Sequence, residues 1–205
     1  MAGLAMLIAE PGMRIGLFGG SFNPAHEGHR LVALECLKRL ALNKVWLLVS
    51  PGNPLKDHTE LAPLETRIAD TVKVMNDPHL EVTGFEATHH FTYTWQTLSF
   101  LTTTHPATKF VWIMGADSLQ NFDHWERWED IARMLPIAVY DRPKSVFTAT
   151  SGKAALALEP FRLRELDAPT LAGRPPPSWV YLHGVVSTAS STAIRKGLAA
   201  PDSNS

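Results

Sequence analysis

Arg14-Ile15-Gly16-Leu17-Phe18-Gly19-Gly20-Ser21-Phe22-Asn23-Pro24-Ala25-His26-Glu27-Gly28-His29 decides the fold. Arg14 to Phe18 is a short apolar run that predicts a strand, and Gly19-Gly20 after it predict a tight turn. Beyond the turn, Leu31, Leu34, Leu37 and Leu40 recur at helical spacing, so Gly28 to Leu40 is expected to be a helix. Such a unit has known chemical uses. Glycines let the backbone approach a ligand closely. The start of the following helix offers unpaired N–H groups and the positive end of a dipole to a phosphate. His26 and His29 stand three residues apart, so both can project from one helical turn. Imidazoles can donate hydrogen bonds to phosphate oxygens and can carry positive charge.

The same alternation continues outward from this unit. Strands are expected at Lys44–Ser50, Leu80–Thr83, Lys109–Met114, Pro136–Tyr140 and Trp179–Leu182. Helices are expected at Pro63–Met75, Trp95–Leu101, Trp125–Leu135 and Ser191–Leu198. Apolar strands without alternation, each followed by a helix, predict a parallel sheet covered on both faces: the doubly wound α/β class, with a small C-terminal helical element. Residues 1–205 are expected to form a single domain, with 1–13 as an N-terminal extension and 201–205 as a disordered tail. Met13 offers an alternative start. Residues 144–178 combine weak helical patterns with the proline-rich run Gly173-Arg174-Pro175-Pro176-Pro177.

Composition bounds the partners. In 205 residues, 45% are hydrophobic and 19% charged, which suffices for a sizeable core. A net charge of −1 gives no basic face for nucleic acid or for a membrane surface, so a phosphate site must be built from a few local residues. No apolar run is long enough to cross a bilayer. The single cysteine, Cys36, allows no internal disulfide, fits a reducing, cytoplasmic compartment, and reads as a small core residue.

Two known phosphate fingerprints do not apply: the glycines do not form G-x-G-x-x-G, and no Walker A lysine follows. His26-Glu27-Gly28-His29 is one residue short of the zinc motif H-E-x-x-H, so no protein-held metal is expected. Near the other end, Ser190-Ser191-Thr192-Ala193-Ile194-Arg195 reads by itself as an ordinary helix cap with a surface arginine, or as a second phosphate cradle.

GGSFNPAHEGH resembles the G-G-[ST]-F-[DN]-P-x-H-x-G-H signature of the HxGH nucleotidyltransferase superfamily, and SSTAIR resembles its S-S-T-x-[IL]-R element. Three middle segments narrow the likeness: Phe91 to Leu98, Met114 to Leu119 followed by Trp125 and Trp128, and Asp141-Arg142-Pro143. They are similar to segments of the bacterial nicotinate-nucleotide adenylyltransferases, and in motif order the resemblance runs over residues 14–198. It implies a Rossmann-like nucleotidyltransferase fold and transfer of AMP from ATP to nicotinate mononucleotide, a step of NAD biosynthesis. His26, His29 and Arg195 are then the expected catalytic groups. Gly19, Gly20, Ser21, Phe22, Gly115, Asp117, Ser191 and Thr192 join them at ATP. Lys56, Tyr93, Thr94, Trp125 and Glu126 are expected at the nicotinate nucleotide, with Trp125 stacked on the ring and Trp128 in the core. Mg²⁺ would be delivered with ATP. His58, His89 and His90 match nothing in the pattern. Another phosphate acceptor (nicotinamide mononucleotide or phosphopantetheine), a non-catalytic nucleotide-binding module and a dehydrogenase stay as alternatives, and the sequence leaves the oligomeric state open.

Overall fold

The computed structural model describes residues 7–52, 61–141 and 150–184. Seven strands form one sheet: β1 Arg14–Gly20, β2 Lys44–Val49, β3 Leu80–Thr83, β4 Lys109–Gly115, β5 Ile137–Tyr140, β6 Arg162–Leu163 and β7 Trp179–Leu182. Their order is β3-β2-β1-β4-β5-β7-β6, and every pairing is parallel. The helices are α1 Glu27–Arg39, α2 Leu64–Met75, α3 Phe85–Thr88, α4 Thr94–Thr104, α5 Ala116–Gln120, α6 Trp128–Met134 and α7 Lys153–Leu158.

Alternate residues along β1, β2, β4, β5 and β7 feed two separate cores, which is why these strands read as apolar runs. Ile15, Leu17, Trp46, Leu48, Phe110 and Trp112 enter one core together with residues of α4, α5, α6 and α7. Phe18, Val45, Leu47, Val111 and Ile113 enter the other, against α1, α2 and the 3₁₀ segment Glu165–Gly173. This is the doubly wound arrangement the sequence predicts.

Strand order reverses between β1 and β4, because the chain runs from β1 outward through β2 and β3 and then returns to the other side of β1. The carboxyl ends of β1 and β4 therefore diverge, and a crevice opens there.

Several expectations need correction. Gly19 and Gly20 do not form the turn. Both stay in β1, paired with Leu48 and Val49, and the chain turns only at Asn23-Pro24. Gly19 is needed for room: a Cβ there would lie 2.5 Å from Trp112 Cη2. The helix expected from Trp125 starts at Trp128, because Arg127 adopts φ +55°, ψ +38°, a left-handed conformation that cannot belong to an α-helix. Within 144–178 the described part forms α7, β6 and Glu165–Gly173. The N-terminal extension packs onto the sheet from residue 7: Leu7, Ala9 and Met13 touch the first core, and the Gly12 amide donates to the Ala107 carbonyl at 2.8 Å. The helix expected at Ser191–Leu198 and the tail 201–205 lie outside the described residues.

Candidate active site

A cavity of about 380 Å³ occupies the crevice at the switch point, a size suited to a small-molecule ligand. Gly19, Gly20 and Ser21 line it from the end of β1, and Ser50 and Gly52 from beyond β2. Thr92, Tyr93 and Thr94 contribute from the start of α4. Trp112, Ser118, His124, Trp125, Glu126 and Ile131 complete the wall. The first motif and the aromatic middle block, far apart in sequence, thus border one space.

His26 and His29 are not among the lining residues. They lie side by side at the start of α1, 6% and 9% exposed, with ring centroids 3.9 Å apart. His26 is the N-cap. Its Nδ1 accepts from the Gly28 amide at 3.1 Å, and His29 Nδ1 accepts from the His26 amide at 3.3 Å. In both bonds Nδ1 is the accepting nitrogen, which leaves Nε2 as the nitrogen able to donate. The two histidines therefore fix the helix start geometrically, a part that histidine spacing alone does not announce.

Phe22, at φ +44°, is buried with its ring edge-on to Phe18 and to His29, at 5.7 and 5.1 Å. It supports the motif and does not border the cavity. Gly115 closes β4 as the N-cap of α5, and Asp117 is exposed on the first turn of that helix. Lys56, Ser191, Thr192 and Arg195 lie outside the described residues, as do His58, Arg142 and Pro143. His89 and His90 are exposed in a turn, as their lack of pattern suggested.

Trp125 borders the cavity and meets Trp112 and Phe122 edge-on at 6.2 and 5.4 Å. Trp128 packs on Phe122 and lies against the core. At the start of α4, Gln96 Oε1 accepts from the amides of both Thr92 and Tyr93 at 2.9 Å, which pins the loop before the helix. Arg127 stacks its guanidinium 4.5 Å over the Trp95 ring and so ties the Trp125–Glu126 wall to α4. Elsewhere on α4, Thr97 Oγ1 donates to the buried Glu86 carboxyl at 2.9 Å. Burial pushes the Glu86 carboxyl above its ordinary value, and the Thr97 hydroxyl partly opposes this. Burial pushes the Cys36 thiol up to about 12, so it is the inert core residue expected.

Residues that sequence reasoning passed over include Ser50, Trp112, His124 and Ile131, which line the cavity, and Arg67, which shapes it. Arg67 falls within the helix expected at Pro63–Met75, and only the fold brings it to the carbonyls after the strand ends. Among the described residues no three His, Cys, Asp or Glu side chains gather as a metal cluster, and no helix is long and apolar enough to cross a membrane.

Comparisons with known proteins agree with this architecture. The model of the cytidylyltransferase-like family matches residues 17–197. A relative from Methylorubrum extorquens, described as a probable nicotinate-nucleotide adenylyltransferase, is 54% identical over 183 residues, covering 89% of this chain and 99% of its own. One from Mesorhizobium japonicum with the same description is 49% identical over 188 residues, covering 92% and 96%. Among solved structures, the Plasmodium falciparum nicotinic acid mononucleotide adenylyltransferase complexed with NaAD superposes with a TM-score of 0.66 at 16% identity. That match covers 90% of this chain and 83% of the other, and it is a likeness of fold.

Proposed function

The chain belongs to the cytidylyltransferase-like family and, within it, to the nicotinate-nucleotide adenylyltransferases, and from that footing we propose how its cavity works. The enzyme is a nucleotidyltransferase. It transfers the adenylyl group of ATP to nicotinate mononucleotide, giving nicotinate adenine dinucleotide and pyrophosphate in NAD biosynthesis. The observation that carries this reading is the shared cavity, whose lining joins Gly19–Ser21 with Tyr93, Thr94, Trp125 and Glu126.

The acceptor phosphate is already an anion, so it attacks the α-phosphate of ATP without a general base. The oxygen–α-phosphorus bond forms as the bond to pyrophosphate breaks. The protein's tasks are alignment and neutralisation of charge. Gly19, Gly20 and Ser21 bring backbone close to the triphosphate, and His26 and His29 act from the start of α1, where Nε2–H is the donating edge. Gly115 and Asp117 lie toward the adenosine. Trp125 offers a flat face to the nicotinate ring, and Tyr93, Thr94 and Glu126 border its carboxylate. Lys56 serves the acceptor phosphate, and Ser191, Thr192 and Arg195 the leaving pyrophosphate. Mg²⁺ enters as part of the nucleotide substrate, held by phosphate oxygens and water. The substrates are small metabolites, and we place the enzyme in the cytoplasm with them.

The test is pyrophosphate release from Mg·ATP with nicotinate mononucleotide, nicotinamide mononucleotide or phosphopantetheine offered separately. Release with the first far above the others is expected. Equal or greater release with another acceptor would move the substrate, and none with any acceptor would end the catalytic reading.

A further inference from the structure

Arg67, on α2, is 2% exposed and has no place in the signature motifs. Its guanidinium donates to four backbone carbonyls. Nε reaches Ala62 O at 2.8 Å, Nη1 reaches both Ser21 O and Ser50 O at 2.8 Å, and Nη2 reaches Pro51 O at 3.3 Å. Ser21 follows β1, whereas Ser50 and Pro51 follow β2. One buried cation therefore ties together the two loops whose residues Ser21, Ser50 and Gly52 border the cavity. The segment before α2 is bound to the same corner, because the Ala62 amide donates to Asn23 Oδ1 at 3.2 Å.

In a trans peptide, C=O and N–H point opposite ways. Carbonyls of Ser21 and Pro51 drawn onto the guanidinium therefore turn the amides of Phe22 and Gly52 away from it. A planar fork with five donors can hold several carbonyls in fixed relative positions, which an ammonium cannot.

We propose that Arg67 is a positioning residue that brackets the ATP-phosphate loop after β1 to the acceptor-phosphate loop after β2, and so sets the spacing of the two reacting phosphates. This rests on the adenylyl-transfer reading above. It goes beyond that reading by assigning the alignment step to a side chain that touches neither substrate. Burial lowers the Arg67 pKa from its ordinary value while Glu65 opposes this, and a guanidinium stays charged at neutral pH.

The test is Arg67→Lys, assayed well below its melting midpoint. Lysine keeps the charge but cannot span four carbonyls. The expected result is a kcat about 10- to 100-fold lower, the scale of a misplacement near 1 Å, with KM for ATP and for nicotinate mononucleotide each within about threefold of wild type. Hydrogen exchange gives a readout independent of turnover: peptides covering 19–24 and 50–52 should exchange faster while those of β4 stay unchanged. Unchanged kcat together with unchanged exchange overturns the bracket. If the lysine variant does not fold, Arg67→Gln replaces it in the same assays, and failure of both to fold assigns Arg67 to stability alone and also overturns the proposal. Wild type that releases no pyrophosphate while Arg67→Lys still loosens both loops would defeat the functional reading and leave the bracket standing.

Discussion

Gly19→Ala tests how tightly the first motif is fitted to the aromatic wall. The added Cβ would sit 2.5 Å from Trp112 Cη2 and 3.2 Å from Cζ2. Carbon atoms rest at about 3.5–4.0 Å, so the indole must move by about 1 Å. It has little room, since Trp112 is 2% exposed and its ring meets Trp125 at 6.2 Å on the cavity wall. Overpacking of this kind costs about 1–3 kcal/mol, which in a chain of this size lowers the melting midpoint by about 2–12 °C. The push passes to Trp125, so KM for nicotinate mononucleotide should rise more than KM for ATP. Thermal unfolding and steady-state pyrophosphate release measure both effects. The cause is checked with Trp112→Phe, which removes the two clashing atoms. Among the described residues Trp112 Nε1 has no hydrogen-bond partner, so that change breaks no hydrogen bond there. Gly19→Ala should then be nearly neutral in the Trp112→Phe background. A midpoint drop equal in both backgrounds, or none in either, would refute the reasoning.

Trp125→Ala should raise KM for nicotinate mononucleotide about 2- to 10-fold, from loss of about 0.5–1.5 kcal/mol of ring contact, and leave KM for ATP nearly unchanged; equal effects on both would contradict a stacking role. His29→Ala should lower kcat by about 10²–10³-fold and, because His29 also closes the cap of α1, reduce stability by about 1 kcal/mol. Wild-type turnover would remove His29 from the chemistry. Glu86 supplies a pH test. Its folded pKa is raised above the ordinary 4.5 by burial, so its contribution to stability is full below that value and is lost as pH rises through the folded pKa. Glu86→Gln keeps an acceptor for Thr97 and does not ionise, so its melting midpoint should gain on wild type as pH rises from about 4 to 7; parallel profiles would show that Glu86 does not titrate as its burial requires. Cys36, with its thiol pushed up to about 12, should resist a thiol reagent at pH 8 in the folded protein and react on unfolding. Rapid labelling of the native chain would contradict its placement.

Much of the fold was legible because strand and helix periods are local properties. β3 and β7 fall on the residues their apolar runs indicate, and β2 and β5 differ from them by one residue at an end. The signature motif could be read at its strand-to-helix junction, since glycines, a cap and paired histidines sit within eleven residues. What the sequence could not display were features set by neighbours far along the chain. Whether Gly19 turns or stays extended depends on the parallel pairing with Val45–Val49 and on a tryptophan supplied by β4. Where α6 begins depends on Arg127 reaching Trp95 while holding a left-handed backbone. Arg67 carries no local signal, because a buried guanidinium gains its meaning from the four carbonyls that surround it, and the strand ends that bring three of these there meet only in the folded sheet. The sequence by itself determined the α/β class, the position of the signature motif and the family, since those follow from short-range pattern. Tertiary structure alone decided which residues share the cavity and what holds its loops in place, because contact across a parallel sheet is fixed by strand order, which no local window of sequence contains.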